Sequence, residues 1–256
     1  MSFSNPYHRL WRPVKGYKWV NKIVNDNNSY PSMDFLCDDR FICQSEIKSL
    51  VVTAHLIIRD LYEIFNYIEP NDANIKTYSH RIYELFLRTA TEFESNCKSI
   101  LRDNGYAKAE KDMNILDYFK IAVFGKLSEY RVTFKRWTSQ HEFRPFETWN
   151  TATYFSLPWY QDYNQVKHNR YANFHLANLG NLMSAISGLL CILHVQYGEE
   201  MGCACFEGIC VNQTLQEQIN TDTFTIILPN FPDSEKYDFI WNDIKGNANP
   251  VQNYTF

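Results

Sequence analysis

The chain has 256 residues, enough for one large domain or two small ones with a substantial buried core, and one compact unit is the simpler expectation. Hydrophobic residues make up 45% and aromatics 16%, which excludes a disordered chain, and a formal net charge of −4 excludes a global field that would hold a polyanion by counterion release alone. Any nucleic-acid contact must therefore be local.

The opening stretch MSFSNPYHRLWRPVKG has no apolar leader-like run, and the longest apolar segment, Leu182 to Val195, is broken by Ser184, Ser187 and Gly188 and is short for a bilayer. A soluble protein with no membrane partner is expected. Cys37, Cys43, Cys97, Cys191, Cys203, Cys205 and Cys210 are odd in number and scattered, which suits free thiols in a reducing cytoplasm better than a disulfide framework.

In chain order, residues 1–40 carry Pro6, Pro13, Gly16, Pro31 and the polar run Asn25 to Asn28, and are expected to form an irregular wrap with one short strand near Tyr17 to Val24. From Ile42 to Tyr67, apolar residues recur at the three-and-four spacing of an amphipathic helix that Pro70 stops. A second helix is expected from about Ala73 to Arg102, with Ile82, Leu85, Phe86, Ala90 and Phe93 on one side and Gly105 as its stop. The short polar link between the two predicts an antiparallel hairpin.

A shorter helical patch follows near Ile115 to Val123. Tyr130 to Trp137 then alternates with period two, and Phe224 to Leu228 is a second strand-like run bounded by Pro229. The two are expected to pair across a long separation as a small sheet. Residues 41–245 read as a single, mainly α-helical domain with this β element at its periphery, and 246–256 as a poorly ordered tail.

Between the strands, residues 159–181 read WYQDYNQVKHNRYANFHLANLGN, an amphipathic stretch rich in His and Asn that leads into the apolar core segment. Ser156 is a candidate N-cap, with Pro158 in the first turn. An unbroken helix from there to Tyr197 would be about 60 Å long, against a domain roughly 36 Å across. A break is therefore expected, placed at the weak helix formers Asn169 to Asn173.

Arg170 precedes His175 by five positions, about 140° apart on a straight helix, so the two converge only where the helix begins or bends. Asn164, His168, Tyr171 and His175 fall on one helical face. Buried histidines that cap a kinked helix, with Lys167 and Arg170 solvated, are the competing reading. Cys203, Cys205 and Cys210 with His194 match no common zinc spacing and read as plain thiols. Arg88, Glu92, Glu94 and Lys98 read as a solvated ion-pair ladder, with Arg88 or Glu92 as candidates to line the same cleft as His175. Trp149 and Trp159 read as core. No Gly-rich phosphate loop, HExxH or Gly-x-Ser-x-Gly is present.

The long-helix hairpin, followed by a helix with Arg170-x4-His175, resembles the HEPN superfamily. The text around it, Trp159, Tyr163-Asn164, Val166-Lys167-His168, Arg170, Phe174 and Ala177-Asn178, is similar to an uncharacterised bacterial group of HEPN-like proteins. The residue after the arginine, Tyr171, departs from the small polar residue of active members. The resemblance implies a HEPN-like helical bundle acting in a bacterial cytoplasm as a metal-independent endoribonuclease of toxin or antiphage-defence type, with no cofactor. His175 would then be acid or base and Arg170 the phosphate clamp, because cleavage by a neighbouring 2′-hydroxyl needs a proton carrier near neutral pH and a fixed cation. His168 is the rival imidazole, and Lys167, Asn164, Tyr171 and Asn169 are the candidate substrate-binding residues. RNA, a second copy of the chain packed on Leu182 to Val195, and an antitoxin or regulatory protein are the implied partners. A non-catalytic module of the same fold, binding a protein or nucleotide, is the alternative.

Overall fold

The computed structural model describes residues 3–16, 34–198, 211–215 and 218–256. The strand expected near residues 17–24 and the cysteines at 203, 205 and 210 lie outside them. The mainly helical architecture is as expected. Helix α1 (Gln44–Phe65) and helix α2 (His80–Asp103) form the hairpin. Helix α2 starts later than the apolar spacing suggests because Ser79, in extended backbone, caps it by accepting from the Ile82 N–H. Two short helices follow, α3 (Ile115–Tyr118) and α4 (Ile121–Gly125), the first closed by a capping box of Asn114 and Asp117.

The expected long helix is broken where the asparagines lie. Helix α5 (Pro158–His168) ends at Asn169, whose side chain accepts from the Ala172 N–H and so restarts the chain as the single turn α6 (Arg170–Asn173). Asn side chains compete with the helical backbone for its own N–H groups, which is why the break falls here. A 3-10 turn over Phe174–Leu176 follows, and Asn178 caps helix α7 (Leu179–Tyr197). At the start of α5 the cap position belongs to Leu157, with no side-chain bond, and not to Ser156.

Helix α7 is the centre of the molecule. It is buried without interruption from Ala185 to Tyr197 and packs on α2 and α5. Among the described residues it is the one helix long and apolar enough to cross a membrane, and 83% of its most apolar window is buried inside the protein. A helix apolar on all sides needs partners on all sides, and this one finds them within its own chain. The face from Leu182 to Val195 is thus not available to a second copy, because α2, α5 and the N-terminal segment already cover it.

Strand β1 (Arg131–Phe134) pairs antiparallel with β4 (Phe224–Ile227), Val132 opposite Ile226, as the two alternating runs predict. With β2 (Val211–Leu215) and β3 (Gln218–Thr221) the sheet has the order β1-β4-β3-β2. Helix α8 (Trp241–Ile244) completes the regular elements.

Residues 3–16 differ from the expected outer wrap. Arg9 is 1% exposed, and Leu10, Trp11 and Val14 are buried. The Trp11 N–H donates to the Val195 carbonyl at 2.7 Å, and Tyr237 donates its N–H to Pro13 at 2.8 Å. Pro6 and Pro13 forbid a helix but not burial, provided each backbone group finds a partner elsewhere. A loose tail was expected over 246–256, but the segment from Pro250 on is packed while 246–249 are exposed. Val251 and Tyr254 are buried, Gln252 N–H donates to Pro6, and Tyr254 N–H donates to Asn104 Oδ1.

Candidate functional site

A short backbone clip brings the candidate site together. Leu179 and Gly180 donate their N–H groups to Thr77 and Ile75 at 2.8 and 2.9 Å, and Tyr78 bridges Asn178. Gly180 is needed for this approach, since a Cβ there would lie 2.6 Å from Ile75 Cγ1. The clip sets the amino end of α2 beside the turn that joins α6 to α7, a proximity of residues about a hundred positions apart.

At that junction Arg170 meets a histidine that sequence reasoning missed. Arg170 Nη2 donates to His80 Nδ1 at 2.8 Å, and both residues are exposed. The guanidinium carbon lies 4.8 Å from the Tyr83 ring centre and 5.3 Å from that of Phe174. Phe174 in turn stands 4.9 Å from the His80 ring and 5.7 Å edge-on to Tyr78. Arg170 is therefore held by aromatic faces and one imidazole nitrogen, and among the described residues no carboxylate is bonded to it. A guanidinium placed in this way keeps its charge available to an anion. The amino end of the 24-residue helix α2 adds the positive pole of its dipole.

The other predicted residues divide into three groups. His168 on α5 and His175 on the 3-10 turn are exposed, and among the described residues their side chains make no hydrogen bond. Arg170 is bonded to His80 and not to His175, because the break at Asn169 aims the guanidinium at the start of α2. The continuous face of Asn164, His168, Tyr171 and His175 is interrupted by the same break. Neither histidine is the buried, satisfied cap of the competing reading. Tyr171 is wholly exposed, at 100%, and Asn164 is half-buried.

Two candidates are engaged in the fold. Lys167 Nζ donates to the Tyr163 hydroxyl at 3.0 Å and lies 3.9 Å from Glu94. Partial burial works against its charge, but the Tyr163 bond and the Glu94 carboxylate outweigh it and raise its pKa. Asn169 is occupied as the α6 cap. Arg88 pairs with Asp60 of α1 at 2.6 Å and does not join His175, and burial raises the Glu92 carboxyl despite Arg88 nearby. Trp149 and Trp159 are core, at 4% and 3% exposed.

Cavities of about 510 and 200 Å3 are lined by other residues, the larger by Arg9, Arg40, Cys43, Glu46 and Asp103, the smaller by Asp60, Arg81 and Arg88. The Arg170 face is an open surface. No three His, Cys, Asp or Glu side chains among the described residues converge as metal ligands. The chemistry this face can offer is a cation that binds phosphate, imidazoles that carry protons, and exposed aromatic rings that stack on bases. No protein-family model, curated protein or solved structure matches the chain.

Proposed function

We propose that the face formed by the amino end of α2, α6 and the turn after it binds RNA and cleaves it without a metal, in the manner that the HEPN resemblance implies. The observation that carries this reading is the exposed Arg170 guanidinium, presented on Tyr83 and Phe174 beside an imidazole and, among the described residues, bonded to no carboxylate. Arg170 clamps the phosphate and stabilises the dianionic phosphorane. His175, one residue beyond Phe174, protonates the departing 5′-oxygen, with His168 as its rival. The 2′-hydroxyl of the substrate is the nucleophile, so the products end in a 2′,3′-cyclic phosphate and a 5′-hydroxyl, and DNA survives. A toxin or defence role in a bacterial cytoplasm, kept in check by an antitoxin or regulatory protein, comes with the same resemblance.

Purified protein incubated with single-stranded RNA and DNA of one sequence, with and without EDTA, tests the reading. RNA is expected to be cut equally in EDTA, and Arg170→Ala to slow cutting by about 100-fold or more, the scale seen when one donor to a transition-state oxyanion is removed. Suppression by EDTA or equal cutting of DNA would sink the mechanism. The full exposure of Tyr171 and the 51% exposure of Tyr78 favour one second reading, a module that stacks bases without cleaving them. RNA binding with no cleavage would select it.

The homodimer implied by the resemblance must use a surface other than Leu182 to Val195. Light scattering at micromolar concentration is expected to give twice the chain mass, and a value near 30.3 kDa would remove the dimer.

A further inference from the structure

His80 lies outside the Arg170-x4-His175 motif, 90 positions from its partner, yet it is the imidazole that Arg170 touches. A guanidinium only donates hydrogen bonds. His80 Nδ1 must therefore accept, and its lone pair is occupied while the hydrogen of the neutral ring sits on Nε2. The ring is not free to wander, because Phe174 lies against it at 4.9 Å with a tilt of 41°. His80 is thus a fixed, exposed imidazole whose only available basic nitrogen is covered by the cation that would bind substrate.

A phosphate oxygen carries full charge and pairs with a guanidinium more strongly than a neutral ring nitrogen does. We infer that an RNA phosphate draws Arg170 off His80, and that the uncovered Nδ1 is the general base for the adjacent 2′-hydroxyl. The inference rests on the ribonuclease reading above and adds the residue that starts the reaction. The 2′-hydroxyl proton passes to His80 Nδ1, the 2′-oxygen forms its bond to phosphorus, and the bond from phosphorus to the 5′-oxygen breaks. The 5′-oxygen takes its proton from His175, and exchange with water returns both histidines to their starting states. Base and clamp are then released by one event, so the free protein holds its own base covered until a phosphate arrives.

His80→Asn keeps an acceptor for Arg170 but cannot take a proton, and His80→Ala removes both functions. Each is placed in the first turn of α2 at an exposed position, so melting temperatures serve as the check on folding. With the RNA substrate above, both variants are expected to lose about 100-fold or more in kcat, the usual scale for one acid or base. KM of His80→Asn is expected to stay within about threefold, and its profile of kcat against pH to lose the ascending ionisation. A His80→Asn enzyme that cuts within threefold of the unaltered rate, or that loses only in KM, overturns the role of His80 and leaves the ribonuclease reading standing. No cutting by the unaltered protein overturns both.

Discussion

Replacing Arg9 with methionine is expected to lower the unfolding free energy by about 3 kcal/mol, read from urea midpoints at neutral pH. The guanidinium is 1% exposed and pairs with Glu46 of α1 and Asp103 at the end of α2, while Nη1 donates to Gln196 of α7 at 3.2 Å. One side chain thus joins three helices to the N-terminal segment. Its removal takes away the cation that bridges Glu46 and Asp103, while Arg102 stays on the other oxygen of Asp103. Glu46 and Asp103 retain 33% and 27% side-chain exposure, so water relieves part of the penalty and the estimate belongs at the low end of the range for a broken buried pair. Burial raises the Asp103 carboxyl, and the hydrogen bonds from Arg102 and Arg9 more than reverse this, which shows where the carboxylate gets its support. The triple change Arg9→Met, Glu46→Gln, Asp103→Asn should recover part of the loss. Equal midpoints for Arg9→Met and the unaltered protein would refute the assignment.

The second large effect is acid lability from His194. The ring is fully buried in α7, 4.8 Å from Trp11, and shares a 2.6 Å hydrogen bond with the Tyr130 hydroxyl through Nδ1, while Nε2 has no partner among the described residues. Burial pushes its pKa down to about 3, against about 6.5 in an unfolded chain. The sign follows directly. Between those values the unfolded chain binds a proton that the folded one refuses, so the stability present above the unfolded value is lost as pH falls. The loss at pH 5 is about 2 kcal/mol by linkage. Urea unfolding at pH 7 and pH 5 should show this loss in the unaltered protein and lack it in His194→Gln, which cannot charge. Glu92, whose carboxyl burial raises, and His8 are common to both proteins and cancel in the comparison. Identical pH dependence in the two would remove His194 as the cause.

The fold was legible in the sequence wherever burial follows a period. The three-and-four spacing of Ile57, Leu61, Ile82, Phe86 and Phe93 marks α1 and α2, and the period-two runs of β1 and β4 predict their pairing. The break at Asn169 was legible because asparagine offers the backbone an alternative to its helical bond. The burial of residues 3–16 was not, because an irregular segment hides its apolar side chains with no repeat. The site shows the same division. Arg170 stands out in its own segment, whereas His80 is ordinary in its sequence surroundings and meets Arg170 only through the clip of 75–78 on 178–180. The apolar run Leu182 to Val195 misled for a related reason, since composition shows that a helix must be covered and not by what.

The pairing of residues 5–14 with 237–254 also constrains how a ribosome delivers this protein. Asn5 Nδ2 reaches the Pro250 carbonyl at 2.9 Å across 245 positions, and the Tyr7 N–H donates to the Tyr237 hydroxyl at 3.0 Å. Closing a span of that length costs roughly 5 kcal/mol of chain entropy, an amount no local contact repays before the later residues arrive. The hairpin of α1 and α2 can form as soon as it leaves the exit tunnel. Tyr7 and Leu10 cannot, and their apolar surface stays in water until residues 237–254 have been made, a period in which nascent chains aggregate or recruit chaperones. Completion of the native core therefore waits for residues 237–254, and is slow by topology.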